Sequence, residues 1–303
     1  MQATLPTPIR MKEAFFTLCP LCQGKDLALT YDLKTLKVFK CRACSLKFLN
    51  PYFPPSEMIS FYSDKRVMTE INPRLAHYYD NLEGSLTERV FDQSVDDLSE
   101  LMPRPSASLL DIACGNGFFL SRAKRKGWNV KGVDCSSESS LAALKDFQIQ
   151  VDVSDFENYR SSGSFDCVSL WDFIEHVPNP KELLQKAKAF LKPGGVLLVA
   201  TPNHTSLINF WAGLFYRLTF GWVQAPLRML FVPEHILYFD SKTLQRALEE
   251  NGFEVAKIVK TGTDIDRYQT HWLFNFTAKA LLFFSKIFNA GNRVMIFARK
   301  KAR

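Results

Sequence analysis

The sequence predicts an α/β protein, a doubly wound and mostly parallel sheet covered by helices, preceded by a small cysteine-ligated unit. Three observations predict it. The stretch LLDIACGNGFF (109–119) reads as a buried strand at 109–112, a small-residue turn at 113–117 and the start of a helix. Strand-like and helix-like stretches then alternate as far as residue 259, the pattern of parallel strands joined by crossover helices. Ahead of them stand CPLC and CRAC, which carry Cys19, Cys22, Cys41 and Cys44.

The cysteines come first in the chain. Seven is an odd number, and four of them form two close pairs, which argues for a metal site over a disulfide framework. C-x2-C, an 18-residue spacer and C-x2-C supply two knuckles and four thiolates to a tetrahedral ion. Such a shell is closed, so the expected zinc would fold the unit and take no part in catalysis. A redox role for either pair lacks a surrounding thioredoxin-like strand pattern.

The elements follow in order. Residues 1–55 are expected to form a zinc-ribbon-like domain of short strands, closed by Pro51, Pro54 and Pro55. A mostly helical linker occupies 56–104 and carries His77, Tyr78 and Tyr79; Pro103 and Pro105 mark the start of the main domain, 105–303. Its later strands are expected at 129–134, 149–153, 165–170, 196–200 and 253–259. Asn179 followed by Pro180 reads as an N-cap and first turn, for a helix running to Leu191. Gly194 and Gly195 return the chain to the sheet, and Ser241 is expected to cap a helix ending at Gly252. Two apolar stretches break the alternation: an insert at 204–233, richest over 207–232, and a helical stretch at 271–288. Neither has the uninterrupted length of a membrane span.

Length and charge set the outer limits. At 303 residues and 47% hydrophobic, with 26 phenylalanines, the chain can bury a sizeable core. A net charge of +7 permits an acidic partner without requiring one. The N-terminal MQATLPTPIRMKEAFF lacks the apolar region of a signal peptide, so a reducing, cytoplasmic location is expected.

The turn after the first main strand points to a ligand. A backbone turning this tightly at the carboxyl end of a strand leaves room in the sheet crevice. KGVD places Asp134, 17 residues after Gly117, where a carboxylate can accept hydrogen bonds from two ribose hydroxyls. Those features suit a dinucleotide or S-adenosylmethionine. A pyrophosphate calls for a third glycine, and Phe118 and Phe119 stand in its place. Asp111 would repel a phosphate and suit an ammonium. A ribose with a cationic amino-acid end is therefore the ligand implied.

With these residues in place, the chain resembles the class I S-adenosylmethionine-dependent methyltransferases, through DIACGNG, FDCVSLWDFIEHV, LKPGG and TPN, over roughly 105–260. Ala113 replaces the first glycine of the usual D-x-G-x-G-x-G. The resemblance implies a Rossmann-like, seven-stranded sheet whose last strand, 293–298, is antiparallel. It also implies Asp111, Cys114, Gly115 and Gly117 around the methionine portion, Asp134 on the ribose, and Asp155 and Phe156 at the adenine. Phe156 reads equally well as a core aromatic. The cysteine unit with FLNPYFPPSEMISFY is similar to the N-terminal metal-binding domain of bacterial methyltransferases that modify sugars and other cell-envelope or secondary-metabolite precursors. PEHILYF resembles the same group, and implies acid–base work by Glu234 and His235, the glutamate fixing the tautomer. His176, in the EHV stretch, is the second base candidate, against a plain packed histidine beside a helix-turn Glu175. The acceptor implied is a small molecule or a nucleotide- or lipid-linked sugar, methylated on oxygen or carbon.

Other readings stay open. Quinone O-methyltransferases share EHV and LKPGG but not the zinc unit. Some ribosomal RNA methyltransferases begin with a four-ligand zinc unit, but no N/D-P-P-Y type motif follows Leu170 and the basic residues are scattered, which weighs against nucleic acid. A non-catalytic scaffold would not need the Asp111, Gly115, Gly117 and Asp134 set. The apolar stretches 207–232 and 271–288 read first as core or lid helices. The Arg217, Arg228, Lys279 and Lys286 that break them also suit an interfacial helix peripheral to the inner membrane.

Overall fold

Seven strands form the main sheet, in the order β10-β11-β8-β7-β4-β5-β6. In chain order the elements are β1 (Leu27–Asp32), β2 (Lys37–Cys41), β3 (Lys47–Leu49), α1 (Leu86–Leu101), β4 (Ser108–Ile112), α2 (Phe118–Arg125), β5 (Asn129–Asp134), α3 (Ser137–Phe147), β6 (Val151–Val153) and β7 (Phe165–Trp171). A short 3-10 turn (Ile174–His176) leads to α4 (Pro180–Phe190), β8 (Leu191–Pro202), α5 (Leu207–Leu218), α6 (Ala225–Leu230), β9 (Leu237–Tyr238), α7 (Ser241–Glu250), β10 (Phe253–Thr261) and β11 (Arg293–Lys300). This computed structural model describes residues 12–54, 56–57, 59, 82–102, 106–161, 163–263, 279, 281–285 and 287–301. His77, Tyr78, Tyr79 and most of the 271–288 stretch lie outside the described residues.

β4, β5, β6, β7 and β8 are parallel neighbours, and β11 runs antiparallel to both β8 and β10. The chain passes outward from β4 to β5 and β6, then crosses to β7 on the other side of β4. The crevice therefore opens at the carboxyl ends of β4 and β7, where ligands settle in doubly wound sheets. Burial explains the residue choice. All seven residues of β7 are buried, as are Val196–Ala200 of β8, because helices cover both faces. One core holds Val95, Leu98, Phe119 and Trp128 against one face; the other holds Leu183, Leu184, Leu244 and Leu248 against the opposite face.

Capping follows local chemistry. Asn179 accepts from the Glu182 N–H with Pro180 in the first turn, as expected. Ser241 is not the cap of α7. Asp240 holds the extended backbone before the helix, its carboxylate accepts from the Thr243 N–H, and its own N–H donates to the Thr243 hydroxyl oxygen. A carboxylate at a helix N-terminus also meets the positive end of the helix dipole.

The N-terminal strands do not stand apart from the main domain. β3 pairs with β9, Lys47 opposite Tyr238 and Phe48 opposite Leu237, giving a second sheet ordered β1-β2-β3-β9. Phe48, Leu46 and the buried cysteines share a core with Ile174, Ile236, Leu237 and Phe239. The insert leans on the same unit: Tyr31, Leu33, Val38 and Leu49 pack with Ala212, Leu227, Phe231 and Tyr238. Gly213 is needed here, because a Cβ would lie 2.7 Å from the Tyr31 hydroxyl. Among the described residues, no helix is long and apolar enough to cross a membrane.

Candidate active site and metal-binding unit

The two cysteine knuckles are built alike. The Gln23 N–H donates to the Cys19 carbonyl and the Ser45 N–H to the Cys41 carbonyl, each at 2.9 Å. Gln23 and Ser45 both adopt positive φ, which turns the chain back over its own sulfurs. Cys19 and Cys44 Sγ lie 3.5 Å apart, Cys22 and Cys41 Sγ 3.6 Å, and all four sulfurs fall within 4.8 Å of one another. Tetrahedral Zn–S bonds of about 2.3 Å require sulfur–sulfur edges of about 3.8 Å. The four residues fit such an ion, and none is in a disulfide. Burial raises the Cys22 thiol; the Cys19 sulfur, then burial, raises Cys44. A cation would reverse that preference by favouring thiolates.

The turn after β4 uses three positive-φ residues, Ala113, Gly115 and Gly117 (φ 57°, 52° and 74°). That conformation favours glycine, and Ala113 bears it with a Cβ. Asp134, at the end of β5, accepts from the Gly115 N–H and the Ser136 N–H at 2.8 Å each. Each carboxylate oxygen keeps a further lone pair for a ribose hydroxyl. Asp111 is 1% exposed and accepts from the Ser169 hydroxyl at 2.6 Å. Burial pushes its carboxyl up to about 8, Ser169 opposes the shift and Asp134 adds to it. An acid held at that depth is readied for a cationic partner.

Three of the cofactor-side residues make contacts within the protein. Cys114 offers the crevice only its backbone: its thiol is buried in the core, where a Cβ on Gly132 would meet it at 2.6 Å. The Asp155 carboxylate closes its own loop, accepting the Asn158 N–H and side-chain amide at 2.8 Å, which lowers its pKa. The half-buried Phe156 ring meets Phe173 edge-on at 5.8 Å, with the Lys186 ammonium 4.5 Å from its centroid.

Across the crevice, the two Glu-His stretches converge. Glu175, His176 and His235 each bring one ligand atom within 4.8 Å of the others. The His176 and His235 rings meet edge to face at 4.8 Å. The Glu234 carbonyl lies 2.6 Å from His176 Nδ1. A carbonyl can only accept, so Nδ1 carries the proton. The Glu175 carboxylate lies beside both imidazoles, and Glu234 fixes the tautomer of His176 through its main chain. Glu175 is 1% exposed and accepts from the Thr201 hydroxyl at 2.9 Å; its Oε1 has no hydrogen-bond partner among the described residues. Burial, then the charge of Asp172, pushes Glu175 up to about 8. Burial lowers both histidines, His235 well below the ordinary value, with His176 adding to the effect. Both imidazoles are thus neutral at pH 7.

Sequence reasoning missed the supports. Ser169 holds Asp111, Thr201 holds Glu175, and Arg293 pairs with Asp172 at 2.7 Å, joining the end of β7 to the start of β11. Ser169 had a local signal, two residues before the end of a buried strand. Arg293 had none, since its partner lies 121 residues away.

Comparison with known proteins bears on the family and the fold. A family model described as a methyltransferase domain matches residues 85–258. A ubiquinone biosynthesis O-methyltransferase of Xanthomonas campestris pv. campestris is 35% identical over 108 residues, 33% of this chain and 45% of that protein. The chain thus spans about half the length of the curated relatives it matches. The magnesium protoporphyrin IX methyltransferase of Synechocystis PCC 6803, solved with bound SAH, superposes with a TM-score of 0.55 at 14% identity, covering 82% of this chain and 100% of that one. The 1,6-didemethyltoxoflavin-N1-methyltransferase of Burkholderia thailandensis gives 0.53 at 14% identity, covering 90% and 98%. Those two likenesses establish the fold. With the family model covering more than half of its length, the chain belongs to the methyltransferase-domain family, on the class I, Rossmann-like fold.

Proposed function

We propose that this protein transfers a methyl group from S-adenosylmethionine to an oxygen of a small phenolic, quinone-type acceptor. One observation carries the reading: a neutral His176–His235 pair backed by Glu175 follows the carboxyl end of β7, the strand that pairs with β4. When bound, the donor supplies an electrophilic methyl on a positively charged sulfur. Asp134 would hold its ribose and Asp111 its ammonium, aligning the methyl with the acceptor; alignment of this kind contributes several kcal/mol, on the order of 7–11 at best.

His235 would take the acceptor's proton as the methyl arrives. Its lowered pKa selects the acceptor. A phenol ionises near pH 10, whereas an alkyl hydroxyl is far less acidic, so a weak neutral base is better matched to a phenol. The relatives named for ubiquinone biosynthesis support this direction. The sugar-type acceptor suggested by the N-terminal unit has no supporting feature in the site. Zinc held by Cys19, Cys22, Cys41 and Cys44 would have a structural role. The test is mass spectrometry of a substituted catechol and of a nucleotide-sugar after incubation with the protein and S-adenosylmethionine. A gain of one methylene on the catechol alone is expected. A gain on the sugar alone would overturn the phenolic assignment.

A further inference from the structure

We infer that the outer face of α5 and the turn after it form a docking surface for an anionic lipid bilayer. The inner face is occupied: Ala212 and Gly213 rest on Tyr31, and the Tyr216 hydroxyl bonds to the main chain of Asp32. The outer face has Phe210, Trp211, Phe215 and Leu218 in the open, and the turn projects Phe220 and Trp222, 93% and 90% exposed. A soluble surface rarely carries so many large apolar side chains side by side. Phe283, Phe284, Ile287 and Phe288 extend the apolar character, and the Leu207 N–H donates to the Ala290 carbonyl, so the two exposed stretches meet.

Charge selects the occupant. No Asp or Glu occurs from 205 to 233 or from 267 to 303, while Arg217, Arg228, Lys279 and Lys286 punctuate the apolar residues. Tryptophan and phenylalanine between cations suit the headgroup boundary, and anionic phosphates attract the cations. Position adds to the argument. The exposed stretches leave the end of β8 and return at the start of β11, which is antiparallel to it, so they stand at the sheet edge that carries the cofactor turn. The inference goes beyond the proposed reaction, and binding to lipid does not depend on it.

The experiment is co-sedimentation of the full chain with phosphatidylcholine vesicles, with and without phosphatidylglycerol. The protein should pellet with the anionic vesicles, and less so as salt is raised. Phe220→Ser/Trp222→Ser should weaken this binding about tenfold or more, and Arg217→Gln/Arg228→Gln by a similar factor on anionic vesicles only. Circular dichroism, and retained binding of S-adenosylmethionine by calorimetry, would show that each variant is folded. Wild-type protein that pellets with neither vesicle overturns the inference. So does a concentration-dependent dimer that Phe220→Ser/Trp222→Ser abolishes while wild type ignores lipid, since the patch would then join two copies of the chain.

Discussion

His176 and His235 are 59 positions apart in the chain, yet their rings meet edge to face with centroids 4.8 Å apart. The contact is fixed from both sides. The Glu234 carbonyl takes His176 Nδ1, and the Ile236 N–H donates to the Glu175 carbonyl at 2.8 Å. The two Glu-His stretches therefore act as one site.

His235→Asn should lower kcat roughly 10²–10⁴-fold, with S-adenosylmethionine affinity by calorimetry nearly unchanged. Because burial and His176 depress the His235 pKa, the acid limb of the wild-type rate profile should fall below the ordinary histidine value of about 6.5. Parallel loss of rate and donor binding would assign His235 a structural role.

Asp111 and Glu175 are both raised to about 8 in the folded chain. The folded state then binds more protons than the unfolded state between about pH 4 and 8, so stability falls as pH rises through that window. Melting temperatures without donor should decline from pH 5 to 8. Glu175→Gln cannot ionise and should flatten the slope, which for one group is at most about 1.4 kcal/mol per pH unit.

Donor binding should follow the opposite trend. Pairing an ammonium with Asp111 requires the ionised carboxylate, so affinity should tighten up to about tenfold per unit as pH rises toward 8. Above that the donor's own amino group, near 7.7–8.0 in peptides, loses its proton. Calorimetry across pH should show a maximum near 8, and Asp111→Asn should remove the rising limb.

Removing metal should disable the acceptor side first. The Cys41 N–H donates to the Leu46 carbonyl, β3 pairs with β9, and β9 begins two residues after His235. Cys41→Ser or a strong chelator should release about one zinc per chain by elemental analysis. kcat should fall more than donor affinity, because Asp111 and Asp134 lie in the other sheet.

Gly117→Ala places a Cβ at φ 74° and 3.1 Å from the Ala143 Cβ. A cost of about 1–2 kcal/mol is expected, read as a lower melting temperature and weaker donor binding.

The sequence by itself determined the parts whose chemistry is local. Leu109–Gly117 reads as strand and turn because its apolar run and small residues leave few alternatives, and Cys19, Cys22, Cys41 and Cys44 announce a tetrahedral site by spacing alone. Asn179 and Pro180 mark a helix start for the same reason, whereas Ser241 misled because Asp240 beside it is an equally good cap and carries charge. Only the tertiary structure decided that Glu175 stands by both histidines and that the cysteine unit extends its sheet to β9. Each of these depends on which distant surfaces bury one another, and the free energy of that burial is shared over the whole core, so no neighbouring residue records it.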